Sequence, residues 1–441
     1  MTMMQRAQDK PEIGDDGRAS DLERHEECEV ISSAWGKRHE VVQLNGRHER
    51  IRQIARFQIV REDEHVDTVI CVPYLVYMPE NDTLLMLVNN HTAVGIGEVP
   101  RNRAFVLASK DHGATWREWG CGIMPIEEKP GTLFVGLTYL GKGKLLLYTE
   151  SEEGTGYRCD DWGQHWSPFS VFPRHADGRP WHSWDPLLPD KDPDTGKVTR
   201  LWQAGHGGLR FSTDLAQTWS PETVIPQWGS KAFFVSEIHL SRARNGDMIA
   251  ACRVVEPELV AVNDHGGGLG TSVSRDDGNT WSPMNRLYLY GRHHPSMVLM
   301  PNGHIVMSHV VRRGYVPTVD GFMQFGVEAV ISRDNGQTWD LDHKYVLAVW
   351  KAAYNDRRTI HEGSQSTSTV RMPDGSLMTA FGTGYRFKEA GPGDIGLVQW
   401  RLNEQELNDD DSIASSPLRS DERNVWDPTV FNYAVTSPYE E

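Results

Sequence analysis

In the stretch SEIHLSRARNGDMIAACR (236–253), Glu237 lies eight residues before Asn245 and Arg253 eight residues after it. Asn245-Gly246 is a turn signal between two apolar segments, so the stretch reads as a β-hairpin. Positions equally far from the turn face each other on antiparallel strands, which brings this carboxylate and this guanidinium together at one end of the pair. Such a pair is either a structural ion pair at a rim or part of a site that handles charge. Other groups able to do chemistry lie on or just before comparable segments: His91, His182, Asp185, His293, His294, His361 and Glu362, with Arg312 closing another hairpin. Histidine titrates near neutrality and can act as acid or base, while arginine holds an anion by charge-assisted hydrogen bonds. Trp181, Trp184, Phe233, Phe234 and Tyr315 lie in the same neighbourhoods and suit stacking against a sugar ring as well as they suit a core.

The elements that must position these groups repeat along the chain. SRDDGNTW (274–281) returns as SRDNGQTW (332–339), SKDHGATW stands at 109–116, and CDDWGQHW (159–166) and STDLAQTW (212–219) are looser copies. The third-position aspartates, Asp111, Asp161, Asp214, Asp276 and Asp334, recur at steps of 50, 53, 62 and 58 residues. Repeats of this period mark a modular array. In the clear copies Ser, Asp, Gly and Thr make a tight turn between two strands and Trp buries against the sheet.

Upstream of each turn comes a hairpin phrase. VPYLVYMPENDTLLMLV (72–88), the 236–252 stretch, HPSMVLMPNGHIVMSH (294–309) and STSTVRMPDGSLMTAF (366–381) are the clear cases. FVGLTYLGKGKLLLYTE (134–150) is looser, and WDPLLPDKDPDTGKVTRLWQ (184–203) carries a longer turn. Six hairpins, five of them followed by the Asp-bearing turn and the last by DIGLVQWRL (394–402), predict an all-β six-bladed β-propeller over residues 31–402. HEVVQLN (39–45) is expected to supply a strand that closes the ring against the last blade. The polar segment 1–30 and the acidic tail 403–441 are expected to lie on or outside it. Two packed β-sandwiches explain the strands but not the matched hairpins.

Composition narrows the function classes. A net charge of −16 argues against nucleic acid as a partner. No apolar run has the length of a membrane span, and the N-terminal segment lacks an apolar signal core, so a cytoplasmic location is expected. Five cysteines without metal-like or disulfide-like spacing fit that compartment. No His-Glu-x-x-His or similar ligand spacing occurs, and adjacent histidines on a strand, such as His293 and His294, should point to opposite faces. Neither a metal nor a cofactor is expected. GHGG (205–208) and HGGG (265–268) are not followed by a convincing helix and read as blade turns.

The Ser-x-Asp-x-Gly-x-Thr-Trp turns on a six-hairpin pattern resemble the Asp-box repeats of the sialidase (neuraminidase) superfamily over about residues 55–402. That resemblance implies a sugar site at the centre of the ring. Residue by residue, Glu237 and Arg253 match the glutamate that opens the inner strand of the fourth blade and the arginine that closes its hairpin, and Arg312 falls about where a third arginine is expected. Two positions depart. Cys71-Val72-Pro73 stands where sialidases begin their first blade with Arg-Ile-Pro, and Ser366 occupies the place of the nucleophilic tyrosine.

Together these features predict a glycoside hydrolase acting on a terminal, acidic sugar. Glu237 and Asp185 are the expected catalytic carboxylates and His294 and His361 the assisting acid or base. Arg253, Arg312, His182, His91, Trp184 and Glu362 are expected to bind the carbohydrate. With Ser366 in place of a tyrosine, a directly attacking water and an inverted product are expected, unless Tyr385 folds back to replace the nucleophile. Two alternatives remain open: a propeller lyase acting on uronate-containing glycans, and a non-catalytic carbohydrate-binding propeller.

Overall fold

The computed structural model describes residues 30–33, 38–44, 50–61, 68–92, 103–123, 133–150, 154–256, 267–312, 324–351, 366–383 and 394–403. Among them the only helical element is the single 3-10 turn Pro226–Trp228; the rest is strand and turn. Nearly all of segment 1–30 and of the tail 403–441 lies outside the described residues.

The strands form six antiparallel blades. In blade one, strands Thr68–Met78, Thr83–Thr92, Arg103–Ser109 and Thr115–Ile123 run from the axis outward, and Val30–Ser33 pairs as a fifth strand on the outside. Blade two uses Leu133–Gly141, Lys144–Glu150, Thr155–Cys159 and Ser167–Val171. Blade three uses Leu188–Lys191, Val198–Gly205, Gly208–Ser212 and Thr223–Val224. Blade four follows with Phe234–Arg242, Met248–Val255, Gly268–Ser274 and Asn285–Tyr288. Arg292–Leu299, Ile305–Val311, Gln324–Ser332 and Asp340–Lys351 make blade five. Blade six takes Thr367–Arg371, Leu377–Thr383 and Asp394–Trp400 from the end of the array.

Its fourth strand comes from the other end of the chain. Arg50–Arg61 pairs with Asp394–Trp400, with Gln58 opposite Leu397. Sequence reasoning assigned that closing role to 39–45. Arg38–Leu44 instead pairs back on Arg50–Arg61 and, through Val42 opposite Val346, on the outer strand of blade five. Blades five and six thereby share one nine-stranded sheet. The ring closes at the axis as well, where the inner strands of blades six and one pack together.

The core lies between blades. One cluster joins Leu75, Leu84 and Met86 of blade one to Met378, Ala380 and Leu397 of blade six; others join blades three and four, four and five, and five and six. Second strands such as Met248–Val255 are therefore buried on both faces, which explains their continuous apolar reading.

The Asp-bearing turns join third and fourth strands and share one bond pattern. In blade four Ser274 Oγ donates to Asp276 Oδ1 (2.9 Å) and accepts from Gly278 N (2.8 Å), while Thr280 donates from N (2.8 Å) and Oγ1 (2.7 Å) to the two Asp276 oxygens. Blade two keeps the geometry with Cys159 Sγ in place of the serine oxygen. In blades two, four and five the turn glycine also packs on the blade before. A Cβ added at Gly336, where φ is +81°, would lie 2.6 Å from Ile249 of blade four, and one at Gly278 would lie 2.6 Å from Leu209 of blade three. Trp116 and Trp339 are fully buried in these turns, whereas Trp219, in the worn third copy, is partly exposed. Replacing Trp339 by Ala is expected to destabilise the protein by about 3–5 kcal/mol, and Trp219→Ala by less; urea-unfolding midpoints of the two variants check the order.

Candidate active site

Inner strands begin at one end of the ring, the mouth, and near that beginning several carry an extra residue. Register shifts fall between Cys71 and Tyr74, Val135 and Thr138, Ser236 and Ile238, and His293 and Ser296. The bulged residues have positive φ: Val72 (+49°), Gly136 (+70°), Glu237 (+47°) and His294 (+51°). A left-handed conformation is costly for residues with a Cβ, and bulges re-aim side chains next to functional sites. Arg253 thus pairs across the ladder with Ser236, one residue away from the register expected from the turn, and Glu237 stands unpaired between Ser236 and Ile238.

The bulges gather charge at one point. Arg253 Nη1 donates to Glu237 Oε1 (2.9 Å), and His293 Nδ1 is 3.2 Å from Oε2 in a hydrogen bond. His294 brings Nε2 to 3.2 Å from Oε1. The adjacent histidines therefore converge on one carboxylate, contrary to the strand alternation that sends them apart, because the bulge at His294 turns its side chain round. Arg292 sends its guanidinium into the interior of blade five, where it and Lys344 neutralise the buried Glu328 (3.3 and 3.0 Å).

Electrostatics follows from this packing. Burial pushes the Glu237 carboxyl upward, but His294, Arg253 and the His293 hydrogen bond outweigh it and hold the group well below the usual carboxylate range. Burial, reinforced by the charges of Arg253 and Arg312, keeps His293 well below an ordinary histidine, despite Glu237. His293 is accordingly a neutral donor. Glu237, His293 and His294 offer donor atoms within 4.8 Å of one another, a set that could hold a metal ion. Arg253 already occupies the same carboxylate, and Arg312 adds a second positive charge within reach of His293. A divalent cation would have to displace one charge and face the other, so the arrangement favours an anion.

Residues 181–187 fix the other side of the mouth by touching four blades. Trp184 O accepts from Tyr74 Oη of blade one, Leu187 N donates to Thr138 Oγ1 of blade two (2.8 Å), and a Cβ at Gly136 would press within 2.8 Å of Asp185 O. Asp185 Oδ1 lies 3.8 Å from His239 Nδ1 of blade four, and the Trp184 ring meets His294 of blade five edge-on at 5.7 Å. Asp185 is buried, with Oδ2 lacking a hydrogen-bond partner among the described residues. His182 Nδ1 stands 3.2 Å from Glu150 Oε1 without hydrogen-bond geometry, and its ring is 5.6 Å from that of His206.

Of the residues selected from sequence, Glu237, Arg253 and His294 meet directly, with Trp184 against His294 and Arg312 acting on the neighbouring His293. Asp185 and His182 lie on the crossing segment. His91 belongs to a strand of blade one, while its side chain, His361, Glu362 and Tyr385 lie outside the described residues. Ser366, in the tyrosine's place, is buried. Sequence reasoning missed His206 and His239. The signal for His239 was its place two residues after Glu237; His206 is the tip of GHGG, the turn between Gly205 and Gly208.

No family model and no curated protein matches this chain. Among solved structures, a protein of unknown function from Dyadobacter fermentans superposes with a TM-score of 0.60 at 14% identity, covering 79% of this chain and 98% of its own. An α-L-arabinanase from Penicillium chrysogenum, solved with arabinobiose, gives 0.52 at 14% identity over 78% of this chain and 98% of its own. A sialidase from Streptococcus pneumoniae gives 0.51 at 12% identity over 78% and 70%. The chain is a six-bladed β-propeller of the fold that sialidases and arabinanases share.

Glu237→Gln would remove the buried carboxylate that pairs with Arg253, a change that costs about 3–5 kcal/mol. Because the folded carboxyl titrates below its unfolded value of 4.5, its contribution is present above that pH and fades below it. Unfolding midpoints of wild type and variant should therefore differ most at neutral pH and converge in acid.

Proposed function

We propose that this protein is a glycoside hydrolase that removes a terminal acidic sugar. The observation that carries the reading is a buried yet ionised Glu237 in contact with Arg253, His293 and His294, beside a second arginine, Arg312. An acidic sugar brings a carboxylate that Arg312 and Arg253 can hold by charge-assisted bonds. The ionised Glu237 can stabilise the positive charge that develops at the anomeric carbon.

In the proposed reaction, water attacks that carbon as the bond to the leaving oxygen breaks. The Asp185 carboxylate takes the water's proton, and His294, whose charge helps hold Glu237 ionised, gives its proton to the leaving oxygen. Ser366 offers no phenol for a covalent intermediate, which supports direct attack and inversion. Solved propellers of this fold that act on sugars, the arabinanase and the sialidase above, are consistent with the class of substrate.

NMR of the first-formed anomer from an acidic glycoside tests the reading, and an inverted free sugar is the expected product. A retained anomer would assign a covalent route, and an unsaturated uronate among the products would assign elimination in place of hydrolysis. Arg312→Ala is expected to lose about 2–4 kcal/mol of transition-state binding, read as kcat/KM; unchanged kcat/KM would mean that the site does not hold a carboxylate.

A further inference from the structure

Next to the Glu237 cluster, a second group of side chains lines the same mouth. Strand direction puts them there: Glu150 ends the second strand of blade two opposite Leu133, His206 is the turn after the second strand of blade three, and Phe234 opens the inner strand of blade four opposite Val255. His182 sits on the crossing segment, between Glu150 and His206. The His206 ring lies 6.3 Å from Phe234, and the Glu237 charge reaches His206. Phe234 is 43% exposed, unusual for a large aromatic at the start of an otherwise buried strand.

This face is held in place from beneath. The Trp181 ring lies against Gly205, where a Cβ would come within 2.5 Å of it, and is backed by His175 at 4.7 Å and by the Arg210 guanidinium at 4.8 Å. Glu222 packs on Gly208 and accepts from His175 Nδ1 (2.8 Å). Gly205 and Gly208 of the GHGG turn thus let these side chains pack closely beneath His206. Burial, then His182, lowers His206 to about 4, so its ring is neutral at ordinary pH.

From this arrangement we infer that Phe234, His206, His182 and Glu150 form a second subsite that takes a neutral sugar ring joined to the one held at Glu237. The inference rests on the glycosidase reading for the identity of the first sugar. An exposed aromatic face stacks on the apolar face of a pyranose or furanose, and imidazoles and a carboxylate exchange hydrogen bonds with hydroxyls. Glu150 repels an acidic residue here, while two arginines favour one at the neighbouring position. The substrate is then a chain whose terminal acidic sugar is followed by a neutral one.

Saturation-transfer NMR with lactose and arabinobiose as neutral probes, and glucuronic and N-acetylneuraminic acids as acidic ones, tests the assignment. The expected result is that a neutral disaccharide binds the wild-type protein and binds Phe234→Ala and His206→Asn about tenfold more weakly, with the acidic monosaccharides unaffected by Phe234→Ala. Phe234 is exposed, so its replacement leaves the fold intact, and the acidic probes report on that fold independently. Equal binding of the neutral probes to all three proteins, or none to the wild type, would overturn the subsite. Neutral binding that depends on Phe234, without binding of either acid, would support the subsite while removing the acidic-sugar reading at Glu237.

Discussion

A carboxylate buried at the end of a β-propeller channel has to be neutralised by the protein itself, and the mouth of this ring is arranged around that demand. Glu237 meets Arg253, His293 and His294 within 3.2 Å. Removing any of them leaves charge or polarity buried without its partner, a far larger penalty than losing an exposed ion pair. The same groups keep Glu237 ionised, as the proposed hydrolysis requires.

That gathering depends on backbone strain. Glu237 and His294 take left-handed conformations at equivalent bulges of neighbouring blades, and each bulge swings a side chain that regular alternation would send elsewhere. The strain persists because both strands are locked by buried neighbours: Met248–Val255 and Ile305–Val311 are buried along their whole length. Blade one repeats the device at Val72, a β-branched residue for which positive φ is especially unfavourable. The blade scaffold, stitched by its turn glycines, is what makes such conformations affordable.

Crossing the mouth, residues 181–187 convert a ring of similar blades into an asymmetric site. They contact blades one, two, four and five, bury Asp185 beside His239, and set Trp184 against His294. Blade three accommodates this by beginning its inner strand late, at Leu188. Its glycine turn then supplies His206 on the side facing Phe234.

How much of this was legible from sequence follows from the range of the forces involved. The six-bladed architecture was, because each blade is written by local turn chemistry: Ser, Asp, Gly and Thr bonding within a few residues of one another, and Gly-bearing hairpin tips. The nearness of Glu237 and Arg253 was legible for the same reason, since one hairpin carries both, although the bulge shifted their register by a residue. The convergence of His293 with His294 was hidden, because a bulge is set by the register of the whole strand pair and not by two neighbouring residues. Ring closure by Arg50–Arg61, and not by 39–45, was decided by pairing across more than three hundred residues of sequence, where either strand offers an edge. The places of Asp185, His239 and His206 depended on a segment that finds its contacts only once four blades stand around it. Local hydrogen bonding wrote the blades; long-range packing against a closed ring decided what the mouth contains.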